Sequence, residues 1–311
     1  MDRKIRNFRN FALASTLTTY FLIFVGGLVR VSGAGLGCPD WPKCFGRWIP
    51  PLQVSQIPPD FNAASFNFTL AWIEYINRLI GMITGILIVI TAVLAIKNFR
   101  SNKKIIIPSL LAAILVAFQG WYGSVVVSSQ LQSITVSVHL LLALLIVSLL
   151  IYVTQSSYYM GSVVINSLST KTRYMKPMLL GLWGIAIVQI ILGTQVRTQI
   201  ENMLEKFPLL MGEELLLRIE SIDIFHEIFG IVLVFLIVFI ALKLFKMESD
   251  FIRINSWILV ILMIVQILFG TLLVLKGLPQ LLQVFHLWIA SLIIGMVLIL
   301  YTELSNHVVE K

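Results

Sequence analysis

Charged side chains are scarce in this chain: Asp, Glu, Lys and Arg make up 12% of its 311 residues, well under the ~25% usual in a soluble domain. Hydrophobic residues reach 58% and the mean hydropathy is +0.94. A soluble globular protein is thereby excluded. Short alternating strands, the mark of a spanning barrel, are missing as well. The first apolar run is expected to be a span and not a removable signal, being too long and without a small-residue cleavage site. Cysteine is limited to two residues and histidine to four.

What is present is a series of long apolar runs, each near or above the ~20 residues that cross a bilayer as helix. They cover Phe11–Val31, Leu70–Ile96, Ile105–Val127, Ile134–Tyr152, Pro177–Val196, Ile222–Leu244, Ile254–Leu275 and Leu281–Tyr301. Lipid offers the backbone no hydrogen-bond partner, so such runs are helices. The fold class is an all-α integral membrane protein of eight transmembrane helices. A formal charge of +8 does not point to nucleic acid, because the basic residues gather on one side as the positive-inside rule requires. That side carries Arg3, Lys4, Arg6 and Arg9, then Lys97, Arg100, Lys103 and Lys104, then Lys171, Arg173 and Lys176, then Lys243, Lys246 and Arg253, and finally Lys311. Both termini are expected in the cytoplasm of a cell-membrane protein, with long loops 32–69 and 197–221 outside.

Both cysteines, Cys38 and Cys44, fall in the first outer loop, "GLGCPDWPKCFG". The outer side is oxidising and permits a disulfide. A loop staple and a redox-active thiol pair both fit.

The chain also repeats itself. "QGWYGSVVV" from Gln119 and "QILFGTLLV" from Gln266 each place Gly four residues after Gln, then Ser or Thr, and a histidine 20 residues after the Gln: His139 and His286. "QIILGTQVR" from Gln189 precedes His226, and its tail matches "GGLVR", so that Arg197 pairs with Arg30. "WIEYINRLIG" at 72–81 overlays "SIDIFHEIFG" at 221–230, setting Glu74 on Asp223 and Asn77 on His226. Helices one to four thus parallel five to eight, predicting two pseudo-symmetric four-helix bundles over 1–155 and 177–311, joined by a cytoplasmic linker at 156–176.

Each even-numbered helix has one special position near its outer end: Asn77, His139, His226 and His286. Histidine within a span faces protein or a cavity and marks function, although an imidazole can also simply bond between helices. Two neutral imidazoles across a bundle core suit the axial positions of a haem iron, and His226 and His286 fit that role. Zinc fits less well, since no further imidazole or thiolate lies at that depth. Gly123, Gly193 and Gly270 would let a flat macrocycle approach, or merely allow tight helix contact. Arg30 and Arg197 could receive haem propionates or snorkel to the interface. His139 faces Asn77 in the first half, leaving one side of an iron there open or weakly capped. Glu74, one turn before Asn77, is a candidate proton acceptor beside that site or the ion-pair partner of Arg78. Asn77 could instead cap the second helix. His307 belongs to a polar tail and reads as a surface residue.

The eight spans, "GAGLGCPDWPKC" after the first, "EYINRLIG" opening the second, and "VHL", "FHE" and "FHL" in the later even helices together resemble the haem A synthase family over essentially the whole chain. The resemblance implies an oxidoreductase that converts a ring methyl of haem O to the formyl group of haem A for terminal oxidase assembly. On this likeness His226 and His286 hold haem b, His139 contacts the iron of substrate haem O, Glu74 is the catalytic carboxylate, and Cys38 and Cys44 are the outer-loop pair. The family's usual pattern has histidine where this chain has Asn77. The partners implied are haem O and haem A, membrane lipid, a haem O synthase and an electron donor. A membrane b-type cytochrome that only carries electrons, and a haem O carrier, are the competing expectations.

Overall fold

The computed structural model describes residues 3–160, 174–207 and 222–306. Among the described residues are eight helices long and apolar enough to cross a membrane. They are α1 (Arg3–Val31), α2 (Phe68–Phe99), α3 (Lys103–Ser128), α4 (Ser133–Tyr158), α5 (Met175–Lys206), α6 (Ile222–Leu244), α7 (Asp250–Leu275) and α8 (Gln280–Asn306). No strand occurs among the described residues. His307, Lys171, Arg173, Lys311 and most of the expected linker lie outside them.

Three of the helices begin where a side chain satisfies a free amide. Asn67 caps α2 by accepting from the Leu70 amide at 3.1 Å, Asn102 caps α3 through Lys104, and Ser249 caps α7 through Ile252. Asn77 lies well inside α2, so it does not cap that helix. The expected outer loop 197–221 also needs correction: α5 continues to Lys206, because "RTQIENMLEK" is a good helix former although too polar for a span. Residues 208–221 lie outside the described set.

Contacts between helices follow two closed circuits. In the first, α1 packs on α2, α2 on α3, α3 on α4 and α4 on α1; in the second, α5, α6, α7 and α8 do the same. Helices α2 and α4 therefore stand across from each other, as do α6 and α8. Equivalent members share their surroundings. The matched helices α4 and α8 are the most buried, whereas α3 and α7 present most of their surface outward, with residues such as Ile114 and Ile264 exposed. Apolar side chains on that outer surface suit lipid, which offers them no penalty.

The two circuits meet through α1 and α4 on one side and α5 and α8 on the other. Small polar side chains draw the backbones together there, the usual glue between helices in an apolar medium. Ser137 and Thr194 share a hydrogen bond of 2.9 Å, Trp183 donates to Ser148 at 3.2 Å, and Trp288 donates to the Tyr20 carbonyl at 3.0 Å. Tyr159 and Glu303 bond across α4 and α8. The largest buried apolar cluster runs through this seam into the second circuit, including Leu144, Leu182, Ile237 and Ile293.

Candidate functional site: two imidazoles across a cavity and a latched outer loop

A cavity of about 720 Å³ lies inside the second circuit, within the ~300–1,000 Å³ typical of ligand sites. His226 of α6 and His286 of α8 both line it, from helices that face each other across the circuit. Apolar side chains such as Leu233, Val234 and Ile293 form most of its wall. Each histidine leaves Nδ1 buried without a partner, an arrangement that costs free energy unless something completes it.

The signature glycines stand directly against the histidine rings. A Cβ at Gly193 would stand 3.1 Å from Cε1 of His226, and one at Gly270 would stand 3.1 Å from Cε1 of His286. These glycines leave room for the imidazoles, and both also line the cavity. In the first circuit Gly123 faces His139 in the same way, at a looser 3.8 Å.

Arg30 and Arg197 both line the cavity, and they are joined by a residue that sequence reading did not single out. Glu201 accepts from Arg30 Nη2 at 3.2 Å and from Arg197 Nε at 2.7 Å. Its signal was the i, i+4 spacing from Arg197, which places opposite charges on one helix face. One carboxylate is thus shared by both guanidinium groups. Gly27 and Arg30 of α1 also line the cavity, so the first half supplies part of the second half's wall. Asp223, the counterpart of Glu74, lines it too.

In the first circuit His139 sits on α4 and Asn77 on the opposing α2. The Asn77 Oδ1 and the His139 Nδ1 are buried without partners. Tyr122 stacks on His139, with ring centroids 6.3 Å apart and planes 16° from parallel. Glu74 is buried and fully engaged: one oxygen accepts from the Cys38 amide at 2.7 Å and the other pairs with Arg78. Arg78 in turn donates to the carbonyls of Asp40 and Lys43, at 2.9 and 2.8 Å. Asp40 closes the loop on itself by accepting from the amides of Phe45 and Gly46. Cys38 and Cys44 form a disulfide, and both residues are buried. The loop lies hard against α2, since a Cβ at Gly37 would overlap the Leu70 backbone.

Comparison with known proteins agrees with this architecture. The profile of the cytochrome oxidase assembly protein family matches residues 9–298. The chain belongs to that family. Among its relatives, "Heme A synthase" of Ehrlichia canis is 25% identical over 296 residues, covering 85% of this chain and 84% of that protein. "Heme A synthase" of Rickettsia felis is 23% identical over 326 residues, covering 92% and 95%. "Heme A synthase" of Shewanella oneidensis is 35% identical over 136 residues, covering 43% of this chain and 40% of that protein. The eight helices long and apolar enough to cross a membrane are consistent with a multi-pass membrane protein of this family.

Proposed function

We propose that this protein is a haem A synthase of the cell membrane, an oxidoreductase that oxidises a ring methyl of haem O to the formyl group of haem A. The observation that carries this reading is the pair His226 and His286 facing one apolar cavity with two arginines at its edge, within a chain whose relatives bear that name. Its cytoplasmic side is the basic one, which holds both termini.

The second-half cavity fits haem b. It has two imidazoles on opposing helices, a largely apolar wall, and Arg30 and Arg197 as cationic partners for propionates. A haem held by two imidazoles supplies one-electron transfer. In the first half, 1–155, His139 meets the iron of the substrate haem O. Asn77 stands on the helix opposite and, as an amide, grips iron weakly, so the substrate can arrive and leave. Glu74 holds the disulfide loop in place beside that site through Cys38 and Arg78, and its carboxylate is the residue able to take a proton there. The 177–311 half keeps the haem b site, and the 156–176 segment joins the two.

The test is pigment analysis of membranes from cells making this protein with and without a source of haem O. Haem A is expected only when haem O is supplied. A constant content of haem b alone would favour the electron carrier, and haem O retained without conversion would favour a carrier of haem O.

A further inference from the structure

At each of the three membrane histidines the same two atoms are buried without a partner: the imidazole Nδ1 of His139, His226 and His286, and the amide Oε1 of Gln119, Gln189 and Gln266. The opposite end of each amide is already engaged with the same histidine. Gln119 Nε2 donates to the His139 carbonyl at 2.9 Å and Gln189 Nε2 to the His226 carbonyl at 2.8 Å. Gln266 Nε2 lies 3.1 Å from the ring Nε2 of His286. Each glutamine precedes its glycine by one helical turn, so both residues address one ring from the same face. The glycine leaves space for the ring, and the glutamine brings an amide to it.

A buried polar atom without a partner costs free energy, and the deficit recurs in three matched couples. Each couple consists of a nitrogen and an acceptor oxygen. A neutral imidazole that gives one nitrogen to a metal carries its proton on the other, and the acceptor for that N–H fixes both the tautomer and the ring's orientation. An amide oxygen is such an acceptor.

We infer that Gln119, Gln189 and Gln266 are positioning residues of the three histidines: the amide oxygen of each accepts the imidazole N–H that remains when the other ring nitrogen holds iron. This rests on the reading of those histidines as iron ligands. The amide is found in two places, on the histidine carbonyl in two copies and on the ring in the third. The terminal torsion of glutamine is broad, so turning the amide between those places is a small motion.

Gln189→Met and Gln266→Met keep the chain length and remove both amide atoms. In the purified full-length protein carrying haem b, each should release haem to apomyoglobin about tenfold faster, the lower end of what outer partners of metal ligands contribute. At a fixed redox poise each should also raise the ratio of reduced to oxidised haem b, because a ring without its acceptor donates less charge to iron. Gln119→Met should move neither quantity, since it addresses the other half. Should the Met variants not accumulate, Gln189→Glu and Gln266→Glu carry the test: the stronger acceptor should lower the ratio. Retained haem b with the wild-type ratio in the variants that accumulate overturns the inference. An equal shift in Gln119→Met overturns it as well, by exposing a general packing effect. Low-spin haem b surviving in both His226→Ala and His286→Ala would instead overturn the ligand reading, so the two failures are separable.

Discussion

At Gly193 and Gly270 the missing side chain lets His226 and His286 lie against the neighbouring helix, since a Cβ at either position would come to 3.1 Å of the ring. Few real Cβ atoms tolerate so short a contact with a ring that is itself held by packing. Gly193→Ala and Gly270→Ala are therefore expected to displace the imidazole at an overpacking cost of about 1–3 kcal/mol, read as a weakened low-spin haem b spectrum. Gly123→Ala, with 3.8 Å to the His139 ring, is an ordinary contact and should leave substrate-haem binding near wild type. Equal damage from all three would show that the glycines serve helix contact and not the rings. The Gln-Gly spacing was legible in the sequence as a repeated pattern. Its object was not, because spacing along one helix says nothing about which residue of the next helix fills the gap. Asn77 belongs to the same scale. Its carboxamide oxygen is buried without a partner, and on the proposed reading Asn77→His would put a strong iron ligand on the helix opposite His139. The expected result is a substrate haem shifted toward a low-spin spectrum and released more slowly; an unchanged spectrum with full activity would leave Asn77 without a role at the iron.

The element that joins chemistry to fold is the disulfide loop on the first two turns of α2. Sequence reading weighed Glu74 as either a catalytic carboxylate or the ion-pair partner of Arg78, and the structure makes the pair and adds the Cys38 amide. That second contact was not legible, because it depends on how a loop of 36 residues in separation folds back onto the helix. Helix boundaries show the same limit. Apolar length located all eight spans, yet α5 outran its apolar part to Lys206, since a helix can continue on propensity after hydrophobicity ends. Because Glu74 is buried between two donors, Glu74→Ala strands both, and losing one partner of a buried pair costs about 3–5 kcal/mol. Glu74→Gln keeps an acceptor for the Cys38 amide and gives up the charge. A mainly structural Glu74 predicts that Ala lowers the thermal midpoint and speeds reduction of the disulfide, while Gln restores much of both. A proton-accepting Glu74 predicts that Gln folds and binds haem yet makes no haem A. Measuring midpoint, disulfide reduction and haem A yield on the same two variants separates the roles, and a fully active Glu74→Gln protein would end the case for proton transfer.

Across the whole molecule the two halves are not self-contained. The duplication was visible in matched motifs, and the two closed circuits of helices accord with it. Yet Gly27 and Arg30 of α1 line the cavity of the second circuit, and Glu201 ties Arg30 to Arg197. One carboxylate thus holds two guanidinium groups that would otherwise repel, and it fixes long side chains whose ordering costs up to about 2 kcal/mol each. The Glu201 side chain is 38% exposed, so its pairing with either arginine is worth only about 0.2–1 kcal/mol to stability. On the proposed reading its value would lie in holding the arginines at the cavity before a ligand arrives, which would lower the cost of binding. A hydrogen bond to a charged group contributes about 1.5–3 kcal/mol, so Arg30→Gln and Arg197→Gln should each lower haem b retention by roughly tenfold or more. Glu201→Gln should do so by a few-fold, within the range of an exposed pair, with little change in thermal midpoint. In an Arg30→Gln, Arg197→Gln background the Glu201 substitution should add almost nothing, because residues acting through one another are not additive. The decisive variant is Arg30→Gln, whose substitution lies in the first half and whose readout, haem b bound by His226 and His286, lies in the second. Wild-type retention in that variant, beside a clear loss in Arg197→Gln, would mean that the halves bind their haems independently and that α1 merely covers the cavity.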